Sequence, residues 1–201
     1  MKSFYSLAAL VAAACAQDYN ITSPGFKLVL TTACGTVNQS VAACHVGAGF
    51  ESLCLLNSTI PSSTFYFNTT SFAAPPVNRP DLGTPGILTW VLPVAGGTPQ
   101  PSAAHFAYDP STNLALPILQ LGTPTNVQLM SFTDKNQLIL QGTTDFTTNP
   151  PSQVGAYALS RWYVCTTEYA GYVYNNLAWG LGPVAPQNPS CASVNVTRVF
   201  V

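Results

Sequence analysis

Val127-Gln128-Leu129-Met130-Ser131-Phe132-Thr133, Asp134-Lys135-Asn136 and Gln137-Leu138-Ile139-Leu140-Gln141 follow one another without a break, and this stretch decides the fold class. Two short apolar runs flank three polar turn formers, which predicts a β-hairpin. The same signal spreads outward in both directions. Lys27 to Thr31 alternates around Leu28 and Leu30, Thr64 to Asn68 sets Phe65 and Phe67 on one face, and Gly86 to Pro93 carries Ile87, Trp90 and Leu92. Further strands are predicted at His105 to Tyr108, Leu114 to Leu121, Tyr157 to Thr166, Gly171 to Tyr174 and Ser193 to Val201. Asp109-Pro110-Ser111 and Asn149-Pro150-Pro151 break the chain between them, and the proline-bearing segment Ala73 to Pro85 reads as an extended surface loop.

Helical periodicity is scarcely visible, and 17 prolines with 14 glycines suit short strands and irregular connections. The expected fold is all-β: an antiparallel β-sandwich or partly closed barrel, with a β-trefoil as the alternative. Leu53-Cys54-Leu55 superficially suggests a trefoil lectin unit, but three matching copies are not found.

The N-terminus reads as a signal peptide over residues 1–16. Lys2 supplies the basic start, Phe4 to Ala14 an apolar core too short for a bilayer, and Ala14 and Ala16 the small residues at a cleavage site. Residues 17–201 are then expected to form a single secreted β-rich domain. N-x-Ser/Thr acceptors stand at Asn20, Asn38, Asn57, Asn68 and Asn195, each marking expected surface. Charged residues make up only 6% of the chain, so glycans and Ser, Thr and Asn must supply solubility. With a net charge of −1 and no basic run, nucleic acid is not an expected partner. No later stretch is long and apolar enough for a membrane span, and the C-terminus lacks the apolar tail of a lipid-anchor signal.

Removal of the signal takes Cys15 with it and leaves Cys34, Cys44, Cys54, Cys165 and Cys191. An odd number in an oxidising compartment predicts two disulfides and one unpaired thiol. Proximity and intervening turn residues favour Cys44 with Cys54 and Cys165 with Cys191, although sequence alone leaves connectivity open.

The most distinctive run is Arg161-Trp162-Tyr163-Val164-Cys165, Tyr169-Ala170-Gly171-Tyr172-Val173-Tyr174, Leu177-Ala178-Trp179, Pro186-Gln187-Asn188-Pro189 and Cys191. Taken with Ala43-Cys44-His45, Leu53-Cys54-Leu55, Gly86 to Trp90 and Arg198-Val199-Phe200-Val201, it resembles a group of small secreted ascomycete proteins of uncharacterised function. The resemblance runs from about Phe26 to the end of the chain. It implies an extracellular, β-rich, fungal domain with four cysteines, matching Cys44, Cys54, Cys165 and Cys191, and it brings no active site to transfer. Cys34 departs from that pattern and is the expected free thiol, while a Cys34 to Cys44 bond in a short loop is the competing arrangement.

Catalytic sets are hard to assemble. There are two histidines, His45 and His105, and no G-x-S-x-G elbow. A glycosidase needs two carboxylates across a cleft, for which Glu51 and Glu168 are the only pair worth testing. There is no C-x-x-C, HExxH or EF-hand pattern and no phosphate-binding glycine loop, so no metal or cofactor is expected. One binding surface suggests itself. Tyr169, Tyr172, Tyr174 and Trp179 could offer flat faces to a sugar, with Tyr172 and Tyr174 on one side of a strand. The competing role for these rings is core, packed against Cys165 and Cys191, with Gly171 marking a bulge or close approach. The leading expectation is a non-enzymatic extracellular or cell-wall-associated structural or interaction protein, whose partner is a cell-wall polysaccharide or an extracellular protein. A carbohydrate-binding module and a glycoside hydrolase of unfamiliar geometry are the alternatives.

Overall fold

The computed structural model describes residues 19–32, 38–55, 62–94, 96–122 and 125–201. Residues 1–16, expected as a signal peptide, and Cys34 and Asn57 lie outside the described residues. Strands occupy about 60% of the described residues, and the only helical element among them is a single 3-10 turn at Pro80–Leu82.

The strands are β1 (Ile21–Thr22), β2 (Phe26–Thr31), β3 (Asn38–Gly47), β4 (Phe50–Leu55), β5 (Phe65–Thr69), β6 (Gly86–Leu92), β7 (Gln100–Tyr108) and β8 (Leu114–Leu121). They continue as β9 (Leu129–Phe132), β10 (Leu138–Asp145), β11 (Ser152–Leu159), β12 (Trp162–Tyr169), β13 (Tyr172–Gly180), β14 (Ala192–Ser193) and β15 (Asn195–Phe200). The predicted hairpin is β9 and β10, with Phe132 opposite Leu138 and Asn136 in the left-handed region at φ 61°. Leu114–Leu121 has the predicted bounds. The run predicted as one strand from Tyr157 to Thr166 is two, because the chain breaks at Ser160 and Arg161 between β11 and β12.

Eight strands close an antiparallel barrel in the order β5-β2-β3-β4-β13-β8-β7-β6, and the pairing of β6 with β5 completes the ring. The remaining strands lie outside it, with β15 along β2, β12 along β13, and β9, β10 and β11 continuing from β6. The barrel is therefore fully closed, not partly. Neither a sandwich of two separate sheets nor a trefoil of three like units describes it, since β5 pairs with both β2 and β6 and so joins the two ends of the sheet. Closure removes the exposed strand edges that an open sheet would carry.

Alternation fills the interior. Phe26, Leu28 and Leu30 of β2 are all fully buried, with the intervening Lys27, Val29 and Thr31 only partly so. Trp162, Trp179 and Phe106 form one aromatic cluster, with the two indoles edge to face at 4.8 Å. Phe26, Phe67 and Phe132 form another, with centroids 5.1 and 5.3 Å from Phe132. Both belong to one continuous core, so the barrel is packed and not hollow. Trp162 is 1% exposed and its Nε1 donates to the Leu138 carbonyl oxygen at 2.8 Å.

Replacing Trp162 with Phe leaves that buried carbonyl without its donor. Urea unfolding followed by circular dichroism is expected to show a loss of roughly 1–3 kcal/mol with the fold retained.

Candidate functional site

Strands β3 and β4 form a hairpin, although no strand is expected there from the sequence. Cys44 lies opposite Ser52 and Ala42 opposite Cys54, and the Cys44–Cys54 disulfide ties the two strands with a Cα separation of 5.9 Å. The second disulfide, Cys165–Cys191, ties β12 to the segment before β14 at 4.2 Å. Connectivity is thus Cys44 with Cys54 and Cys165 with Cys191.

Near its turn this hairpin sets His45 opposite Glu51, with Nδ1 3.4 Å from Oε1. The imidazole is 58% exposed while the carboxylate is only 7% exposed. Burial pushes the Glu51 pKa up, and the His45 hydrogen bond and charge pull partly against that shift. Strand β13 brings the tyrosines to this pair. The Tyr172 ring meets the His45 ring edge to face at 5.5 Å, and the Tyr174 hydroxyl donates to the His45 carbonyl oxygen at 3.2 Å. Tyr174 also packs on Ala42, Cys44 and Cys54.

Tyr169 and Tyr172 face one another at the end of the β12–β13 hairpin, whose turn is Ala170 at φ 52° and Gly171 at φ 86°. Two consecutive left-handed residues make the tight hairpin turn that matches strand twist. Gly171 therefore marks a turn, and a side chain there would meet nothing within 4 Å, so the expected bulge or close approach is not the reason for it. Tyr169 packs toward Leu116, Ile118 and Cys165, while Tyr172 is 39% exposed. Trp179 is 5% exposed inside the barrel, so it takes the core role and does not join the three tyrosines at the surface. The strand period explains the split: Tyr172 and Tyr174 share one face of β13, and Leu177 and Trp179 the other.

The arrangement has little hydrolytic capacity. Glu51 takes His45 as its partner, whereas Glu168 is exposed with no side-chain partner among the described residues. Ser52, the hydroxyl nearest in sequence, is fully buried without a hydrogen-bond partner and points to the opposite face of β4 from Glu51. His105 is 7% exposed on β7, its Nδ1 unpartnered, and burial lowers its pKa. Among the described residues no group of three His, Cys, Asp or Glu side chains is arranged to hold a metal ion.

Residues 23–200 match a family model described as a domain of unknown function, DUF7907. The chain belongs to this family. Comparison with curated proteins and with solved structures gave no significant match. The DUF7907 match covers the barrel and both disulfides, so the fold described above is that of the family's domain in this chain. Among the described residues of this DUF7907 chain no helix is long and apolar enough to cross a membrane.

The sequons differ in setting. Asn20, Asn38 and Asn195 are exposed. Asn68 is half-buried, donating from Nδ2 to the Tyr19 carbonyl oxygen at 3.2 Å and accepting from the Thr89 hydroxyl at 3.2 Å. Glycopeptide mass spectrometry of the chain expressed through a eukaryotic secretory pathway is expected to find glycan on Asn20, Asn38 and Asn195 and an unmodified Asn68.

His105 gives a pH prediction. Its folded pKa lies below the 6.5 of the free side chain, so the unfolded chain binds more protons between those values. Its contribution is complete above 6.5 and is lost as pH falls toward the folded pKa. Urea midpoints measured across this range are expected to fall less steeply toward acid for His105→Gln than for the parent. The comparison also cancels the opposite contribution of Glu51, whose raised pKa favours the fold at low pH.

Proposed function

We propose that this DUF7907 chain is a secreted fungal glycoprotein without catalytic activity, acting outside the cell or at the cell wall as a structural or interaction protein. The filled barrel carries this reading. With Trp162, Trp179, Phe106 and their neighbours occupying the interior, no ligand can be held inside, and recognition falls to the outer surface. Two disulfides, three exposed sequons and the N-terminal apolar segment of residues 1–16 agree with export into an oxidising compartment. A charge content of 6% agrees with solubility borne by glycans and hydroxyls.

The surface best suited to a partner is the β12–β13 hairpin beside His45. Tyr172 combines an apolar ring with a hydroxyl rim, and His45 and Glu51 add hydrogen-bonding groups next to it. Cell-wall polysaccharide fits that chemistry, because a sugar has an apolar face to stack on an aromatic ring and hydroxyls for its edge. Glycosidase chemistry is the weaker alternative, since it asks for two carboxylates facing one bond and this surface supplies the single buried Glu51.

Retention of the purified chain on insoluble chitin, β-glucan and mannan tests the reading. We expect binding to one of the three, lost in Tyr172→Ala with an unchanged circular dichroism spectrum and retained in Trp179→Phe. Retention on none of them, or turnover of any of them that disappears in Glu51→Gln, would defeat it.

A further inference from the structure

Away from the tyrosine surface, Arg198 of β15 stands in an unusual position. The chain has six Lys and Arg residues in all, and Arg79, for comparison, is held by Asp81 through two hydrogen bonds of 2.9 and 2.8 Å. Arg198 has no carboxylate in contact among the described residues. Its guanidinium lies over the Phe132 ring at 4.4 Å and the Phe200 ring at 5.0 Å, and its Nε donates to Asn136 Oδ1 at 2.9 Å. The backbone between the same two residues is also joined, Arg198 N donating to the Asn136 carbonyl oxygen at 3.0 Å. The side chain is thus fixed in plane and position while its Nη edge meets no acceptor among the described residues. Partial burial with nothing to offset it pushes its pKa down.

Arg198 lines a cavity of about 550 Å³, within the size range of small-molecule sites. The wall is rich in hydroxyls. Thr69, Thr70, Ser71 and Thr84 line it and none of these four hydroxyls bonds to another described side chain or backbone group. Asp134, exposed and without a side-chain partner, brings one carboxylate to the same wall but is not in contact with Arg198. Gly83 forms part of the lining at φ 73°, where any side chain would collide with the Phe132 carbonyl. Glycine is therefore required for the wall to take this shape.

A cation held rigidly with its fork unpaired matches a carboxylate, which two parallel N–H groups bind with defined geometry. Four unpaired hydroxyls match a polyol, and the Asp134 carboxylate is an acceptor for sugar hydroxyls that would repel a second anionic group. A phosphate or sulfate fits less well for that last reason. We infer that this cavity is a binding site for a hexuronate unit, its carboxylate on the Arg198 Nη edge and its hydroxyls on Thr69, Thr70, Ser71, Thr84 and Asp134. The site is separate from the Tyr172 surface and does not depend on it.

Galacturonate and galactose provide a matched pair, differing only in a carboxylate against a hydroxymethyl group. Titration of the full secreted chain by NMR is expected to shift the Arg198 Nε–H and the backbone amides of Thr84 and Thr133 with galacturonate, and to require at least about tenfold more galactose or acetate. Arg198→Lys keeps the charge but loses the planar fork, its stacking on Phe132 and the Nε bond to Asn136, and is expected to weaken galacturonate about tenfold or more. Should that variant be unstable, Thr84→Val tests the hydroxyl wall with the arginine intact and is expected to weaken galacturonate while leaving the weak acetate response unchanged. Equal responses to galactose and galacturonate, a response to acetate as strong as to the uronate, or no shift at up to about 50 mM galacturonate would overturn the assignment.

Discussion

Strand β13 enters the barrel between two strands that are already partners. Residues Phe50 to Ser52 of β4 pair directly with Gln120 to Ile118 of β8, but farther along the two diverge and β13 takes the space, bonding to Cys54 of β4 and to Ala115 and Leu114 of β8. Much of the rest of the structure follows from that insertion. It makes the ring eight strands wide, and it delivers Leu177 and Trp179 to the interior, where Trp179 meets Trp162 and Phe106. The antiparallel partner β12 is carried along outside the ring and contributes Trp162. Both disulfides flank this wedge: Cys44–Cys54 beside the point where β13 meets β4, and Cys165–Cys191 on β12. The buried Asn176, opposite Cys54, donates from Nδ2 to the Thr167 hydroxyl at 2.8 Å, while its Oδ1 is buried without a hydrogen-bond partner.

A barrel filled in this way divides labour between its faces. The inward positions of each strand are committed to packing, so chemistry can reside only on outward positions, at the hairpin ends and in the clefts where outer strands lie against the ring. Two such places stand out. The β12–β13 turn carries Tyr172 to the exposed His45 ring, and the approach of β15 and the β9–β10 hairpin leaves the cavity beside Arg198. The two differ in character, one an aromatic surface with a single buried carboxylate beside it, the other a hydroxyl-lined recess with a cation.

Local pattern made much of the β structure legible. The Asp134-Lys135-Asn136 turn, the alternation of β2 and the apolar run of β8 are decided by neighbours in sequence, and each is found where alternation and turn chemistry put it. The β3–β4 hairpin was missed because Asn38 to Gly47 carries only Val41 and Val46 as β-branched residues and no aromatic, and its burial comes from strands distant in sequence. Closure was not legible at all, since the pairings that make it, Phe26 with Phe65 and Phe65 with Trp90, join segments that no local period connects. The tyrosine surface was half legible. The period of two placed Tyr172 and Tyr174 together, but Trp179 lies seven residues beyond Tyr172, an odd number of steps, and alternation alone sends it to the opposite side. Arg198 entered the sequence reading only as part of the terminal Arg198-Val199-Phe200-Val201 run, and nothing there marked it as a site, because its isolation from carboxylates is a property of three-dimensional neighbours.

The scarcity of charge gives each ionised group unusual diagnostic value. In a chain with 6% charged residues, those near the barrel divide into groups already occupied and groups left open. Arg79 and Asp81 satisfy each other; Asp109 accepts from Ser111 and Thr112, and Asp145 from Thr147, so these carboxylates hold their own turns and sit below the usual carboxylate range. Glu51 is shared with His45. Arg198 is half-buried without an acid in contact among the described residues, and burial lowers its pKa, which is costly in a folded chain unless something repays it. Stacking on Phe132 and Phe200 and the bond to Asn136 repay part of that cost and hold the guanidinium still. They also leave its most directional donors without an acceptor among the described residues, and a purely structural role would have been served as well by a neutral side chain on the same rings.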